Sequence, residues 1–297
     1  MPYLSCVNLL PVNFSIINRG CGLAVVAGIG LLTPIVSAQD AKNAGKLAVP
    51  EDLIEDAHFR EEVGINDFTT PSIQKIFAQL GELGPLPFDE VRQDAASPPS
   101  EDRLGVALSL GVLIADGFLA VQCERFGEME ALGKKVLDHA ELLGTGTHIK
   151  PHSKALLENA SLQQTEKLKE ELAKTQRDVE REMADLRDVD IAHLVSLGGW
   201  GRAFQIGCAT VSANFSAETA RKLARTDIIG YYQAQLETLH PKLQERPQII
   251  AIREQLTRLQ ELLDIMDNET ITAEQVKAWR VVADRLLVVL SKPKSVK

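Results

Sequence analysis

Aromatic side chains are scarce: tryptophan, tyrosine and phenylalanine together make up 5% of the 297 residues. A stacked flavin, haem or nucleobase is normally held by more aromatic surface than this, and no Cys-x-x-Cys-His haem attachment occurs. Cysteine is also short. Cys6 and Cys21 lie near the N-terminus, which leaves Cys123 and Cys208 for the body of the chain. A disulfide scaffold is thereby excluded and the core must supply the stability. Those two thiols either form one bridge in an oxidising compartment or lie buried and free in apolar helical stretches. Positive charge is in deficit as well, with a formal net charge of −9 and no dense basic run. Such an acidic surface repels nucleic acid and anionic lipid headgroups, and nucleic acid is excluded as a partner on that ground. There is no Gly-x-Ser-x-Gly elbow, no Walker loop and no His-Glu-x-x-His, so no cofactor, metal or catalytic residue is assigned. No segment alternates apolar and polar residues with β-branched enrichment, so no sheet is expected.

What is present begins with an address. Residues 21–32 form a short apolar run behind Arg19, followed by Thr33-Pro34-Ile35-Val36-Ser37-Ala38. A basic flank, an apolar core too short to span a bilayer and small residues at Val36 and Ala38 match a secretory signal peptide cut before Gln39. Pro34 and the short core argue against an uncleaved anchor, and Asn18-Arg19-Gly20 is the wrong approach to a lipidated Cys21. The expectation is a periplasmic or extracellular protein with no stable membrane span after cleavage.

The remaining periodicity is helical, and the fold expected is an all-α bundle of roughly six to eight helices. Ile249, Ile252, Leu256, Leu259, Leu263 and Met266 paint one stripe on a helix opened by Pro247 and closed by Asn268. Thr272 and Gln275 form a capping box for the next, whose stripe runs from Val276 through Trp279, Val282 and Leu286 to Val289. Residues 162–194 read as one long helix with a narrow apolar seam, and 216–240 as another. Gly81, Gly84, Pro85, Pro87, Pro98 and Pro99 make 81–100 a loop or linker. The division expected is thus a signal peptide (1–38), an N-terminal helical segment with its linker (39–100), and the bundle (101–297).

Residues 104–121 and 191–212 stand apart, being apolar nearly all round and dense in Gly, Ala and Ser. Such helices are buried on most sides, and their small residues let backbones come close. Each carries one charge, Asp116 and Arg202, which argues for a soluble central pair over a membrane span. A buried ion needs a partner, and each is a candidate for the other. The alternatives are Arg202 reaching the surface and Asp116 accepting backbone or hydroxyl hydrogen bonds. Gly198-Gly199-Trp200-Gly201 reads as a close-packing point or a bend where Trp200 fills the gap. Setting residue 107 against 194 matches Ser109-Leu110-Gly111 to Ser196-Leu197-Gly198, and Lys134-Lys135 to Arg221-Lys222. This is the pattern of an internally duplicated helix pair, with chance similarity as the alternative because few identities lie outside those clusters. Ala115-Asp116 in one Gly-rich helix and Leu197-Gly198-Gly199-Trp200 in a later one resemble exported all-helical bacterial proteins of unassigned function. The resemblance implies the helical fold and carries no catalytic residue.

Other candidates are weaker. His58 with Glu61 and Glu62, Asp190 with His193, and His148 with His152 in a flexible turn lack the further ligands a metal needs. Glu124, Glu128 and Glu130 do acid–base work only in a cleft, and otherwise form a solvated helical face. The expectation is a binding or interaction module for a protein partner or a small ligand, with Asp116, Arg202 and Trp200 as its ligand-binding residues. A metal- or carboxylate-dependent periplasmic enzyme is the alternative.

Overall fold

The computed structural model describes residues 71–93, 102–266 and 268–291, and all regular structure within them is helical. The bundle is built around two helices, α3 (Arg103–Gln122) and α7 (Val189–Ala213). Every residue from 104 to 121 and from 191 to 211 is buried. Neither helix carries a one-sided apolar stripe because neither has a side facing water. The stretch Arg103–Gln122 is long and apolar enough to cross a membrane, and its whole apolar window is covered by the protein. The two backbones meet at glycines. A Cβ on Gly111 would overlap the Val195 carbonyl, and one on Gly198 would overlap the Leu108 carbonyl. Packing this close requires glycine at both positions.

The other helices surround this pair. On one side lie α4 (Met129–Leu143), α5 (Gly146–Ser161) and α6 (Thr165–Asp185), packed in that order. Following α7 come α8 (Ala217–Leu223), α9 (Thr226–Thr238), the single turn α10 (Pro241–Gln244), α11 (Pro247–Leu263) and α12 (Ala273–Ser291). The α12 helix returns to cover α7. The capping box forms, with Gln275 N–H donating to the Thr272 hydroxyl at 3.3 Å and Thr272 N–H to Gln275 Oε1 at 2.8 Å. The described part of the N-terminal segment packs into the same core. In α1 (Ile73–Gly81), Phe77 stacks on Phe118 at 5.4 Å, and the short α2 (Phe88–Val91) lies within the stretch expected to be loop.

Four local expectations are corrected. The helix expected to close at Asn268 ends at Leu263, and Met266 lies beyond it, exposed. Residues 162–194 form two helices, because the chain turns at Leu186-Arg187-Asp188. Arg187 takes a left-handed φ of 58°, and Asp188 N–H closes onto the Met183 carbonyl at 2.7 Å. That is the C-terminal stop usually made by glycine, and an arginine there gives no warning in the sequence. Leu194 therefore belongs to α7 and not to the seam of α6. Residues 216–240 likewise break at Ala224-Arg225, where Arg225 binds Asp227 through both carboxylate oxygens at 2.8 and 2.6 Å. The histidines expected in a flexible turn sit inside α5, which carries Pro151 within it. Cys123 and Cys208 are free thiols. The proposed cleavage site and His58, Glu61 and Glu62 lie outside the described residues.

Candidate functional site

Arg202 is fully enclosed, and Asp116 is its ion-pair partner, with Nε donating to Oδ1 at 2.7 Å. The other guanidinium nitrogens donate to Gln205 Oε1 at 2.6 Å and to the Val91 carbonyl at 2.7 Å. Gln205 in turn donates to Asp284 Oδ1 at 2.8 Å. One guanidinium thus ties α3, α7 and the end of α2 together, and through Gln205 it reaches α12. Burial pushes the Asp116 carboxyl above its ordinary pKa, and the Arg202 charge and hydrogen bond pull it part of the way back.

Asp116 also has an open side. Its Oδ2 has no donor among the described residues, and the carboxylate lines a cleft of about 250 Å³. The apolar walls include Phe88, Leu119, Ala131 and Leu132, while Arg92, Glu128 and Lys135 bring charge to it. Arg92 and Glu128 are 3.4 Å apart.

Trp200 faces elsewhere. Two residues along a helix turn the side chain through about 200°, so Trp200 and Arg202 look in nearly opposite directions. Trp200 stacks on Phe204 at 5.5 Å and leans on Tyr232 at 5.1 Å. The Tyr232 hydroxyl is held by Ser196, Oγ to Oη 2.9 Å, which anchors the aromatic cluster to α7. Beside it lies a second cleft of about 330 Å³, with an apolar floor that includes Ile76, Leu80, Trp200 and Phe204. Arg221, Lys222 and Arg225 line it with Glu82. Arg225 is neutralised by Asp227. Arg221 donates to the carbonyls of Ile265, Met266 and Glu269, acceptors without net charge, so its positive charge remains at the rim. The indole N–H of Trp200 has no acceptor among the described residues.

The three residues expected to form one site are therefore divided. Asp116 belongs to one cleft and Trp200 to the other, while Arg202 lines neither and acts on a ligand only through Asp116. Glu124 sits outside any helix at φ 56°, and Glu128 lies in a 3-10 turn, so the three glutamates share no helical face. Asp190 accepts the His240 backbone N–H at 2.9 Å, and His193 is buried. His152 is held between two carboxylates of α6, Glu171 Oε1 at 2.5 Å from Nδ1 and Asp178 Oδ2 at 2.8 Å from Nε2. Nothing in the sequence sets Glu171 and Asp178 apart from the other acids on the polar side of this charge-rich helix; their i, i+7 spacing was the available signal. Both ring nitrogens are occupied, and no group of three or more His, Cys, Asp or Glu capable of holding a metal occurs among the described residues.

The chain matches no family model, no curated protein and no solved structure.

Proposed function

We propose that this chain is an exported binding protein whose ligand is a small organic anion with an apolar body, held in the cleft beside Trp200. The observation that carries the reading is the pairing of an apolar floor with an uncompensated cation at the rim. Ile76, Leu80, Trp200 and Phe204 offer surface to the body of a ligand, and Arg221 offers charge to its carboxylate, while Lys222 beside it is shared with Glu82 and Glu218 at 3.8 and 3.7 Å. The volume of about 330 Å³ is at the lower end of the ~300–1,000 Å³ usual for ligand pockets. A few fixed polar groups in a mostly apolar cavity orient a ligand and select for it. Export rests on Arg19, the apolar run of residues 21–32 and the Val36–Ala38 cleavage pattern.

Calorimetric titration with hexanoate and phenylacetate tests the reading. Each should bind saturably, and hexanamide, which lacks the charge, should bind at least about tenfold more weakly, the effect of ~1.4 kcal/mol. Absence of binding by both acids overturns the assignment.

A further inference from the structure

The sequence match between the two central helices bears on both clefts. The register that sets residue 107 against 194 also sets Asp116 against Ala203 and Lys135 against Lys222. Asp116 and Lys135 line the first cleft; Ala203 and Lys222 line the second. Each half of the repeat thus places a lysine beside a cleft floored by its own central helix. They differ at the floor, where one half has a carboxylate and the other a methyl group.

We propose that the Asp116 cleft is a second, separate binding site, and that it takes a small zwitterionic α-amino acid. Three observations on the cleft carry this. Asp116 is about nine-tenths buried and lines the cleft, yet among the described residues only its Oδ1 has a donor. Arg202 holds Oδ1, which keeps the carboxylate oriented and leaves Oδ2 to an incoming donor. A second carboxylate, Glu128, and two cations, Arg92 and Lys135, complete the lining. Arg92 and Glu128 are paired with each other at 3.4 Å, so a ligand that carries both signs can exchange with that pair, its ammonium toward the acids and its carboxylate toward the bases. A simple anion or cation would meet like charge on one side.

The ligand's ammonium donates to Asp116 Oδ2, with Glu128 adding attraction. Its carboxylate faces Arg92 and Lys135. The side chain lies against Leu119, Leu132 and Phe88, which suits an aliphatic residue. A volume of about 250 Å³ is below the ~300 Å³ at which drug-sized pockets begin, which limits the ligand to a molecule of about this class. The Trp200 cleft lacks a floor carboxylate, because Ala203 stands in the equivalent place, so the two sites select different charges.

The full chain is titrated calorimetrically with glycine, L-alanine, L-valine and L-leucine. At least one binds saturably, and removing either charge from that ligand, as the N-acetyl acid or as the amide, weakens it about tenfold or more, as expected of a charged hydrogen bond of ~1.5–3 kcal/mol. Asp116→Asn risks the fold because Arg202 loses its partner, so Ala131→Trp is the second variant. Ala131 is exposed on the cleft wall, and an indole there fills the space without touching the ion pair. Ala131→Trp abolishes amino-acid binding and leaves the hexanoate response of the Trp200 cleft unchanged. No binding by any of the four amino acids overturns the proposal. So does equal affinity for the N-acetyl form, or full binding by a folded Ala131→Trp protein. None of these outcomes bears on the Trp200 cleft, so the two assignments fail independently.

Discussion

Gly111 lies against the carbonyl of Val195, and Gly198 lies against the carbonyl of Leu108. In the register of the internal repeat, Gly111 is equivalent to Gly198 and Leu108 to Val195. The contact is therefore reciprocal: each glycine meets, on the opposite helix, the equivalent of the residue the other one meets. Two helices packed antiparallel exchange positions in this way whatever their sequences. What the match of Ser109-Leu110-Gly111 to Ser196-Leu197-Gly198 adds is a glycine at both points of closest approach.

Alanine at either glycine forces the backbones of α3 and α7 apart. Gly111→Ala and Gly198→Ala should each destabilise the fold by about 1–3 kcal/mol or more, despite the ~1 kcal/mol that alanine normally gains over glycine inside a helix. Gly127→Ala, where a Cβ would meet nothing within 4 Å, serves as the control. Urea unfolding midpoints measure all three, and a neutral Gly111→Ala would place the crossing elsewhere.

Breaking the Asp116–Arg202 pair leaves a guanidinium with no exposure to water. Asp116→Ala should cost about 3–5 kcal/mol in denaturant unfolding, because the remaining charge is buried and uncompensated. Adding Arg202→Met removes that charge, so the double change should cost less than the sum of the two single ones. Additive effects below about 1 kcal/mol would contradict the pairing.

His139 supplies a pH dependence. Its ring is enclosed, with Nδ1 2.7 Å from the Lys135 carbonyl, and burial lowers its pKa from the ordinary 6.5, only partly offset by that carbonyl and by Asp138. The folded state then binds fewer protons than the unfolded one below about pH 6.5, so this contribution to stability is full above that value and is lost as pH falls. The melting temperature should drop between about pH 7.5 and about pH 5.5. His139→Leu should drop less over the same interval. An equal drop in both proteins would remove His139 as the cause.

Export predicts a specific mature terminus. Mass spectrometry of the protein from the envelope of its native host should find a chain beginning at Gln39, give or take a few residues. An intact leader recovered in the membrane fraction would contradict cleavage.

Much of the fold was legible where burial leaves a periodic trace. The α11 stripe of Ile249, Ile252, Leu256 and Leu259, the Thr272–Gln275 box and the all-round apolar α3 and α7 each carry their own signal. The breaks were illegible where the chain turns without glycine or proline, as at Arg187 and at Arg225. At the site, Asp116 and Arg202 stood out because charge inside an apolar helix demands a partner, and they are paired. Their separation from Trp200 follows from helical spacing, which the sequence does contain. The clefts do not, because each is assembled from helices distant in sequence, which bring together such pairs as Ile76 with Arg221 and Phe88 with Lys135.

The assignment of the Trp200 cleft as the ligand site is tested most directly by the fluorescence of Trp200 itself. The chain has two tryptophans, so Trp279→Phe leaves Trp200 as the sole reporter. Hexanoate should change that emission saturably, with the same midpoint as the calorimetric titration. Lys222→Glu, a charge reversal at an exposed position on the rim, should weaken the response about tenfold or more, the scale of a like-charge penalty above ~1.4 kcal/mol. Saturable calorimetric binding with no change in Trp200 emission, or a response indifferent to Lys222→Glu, would contradict the account.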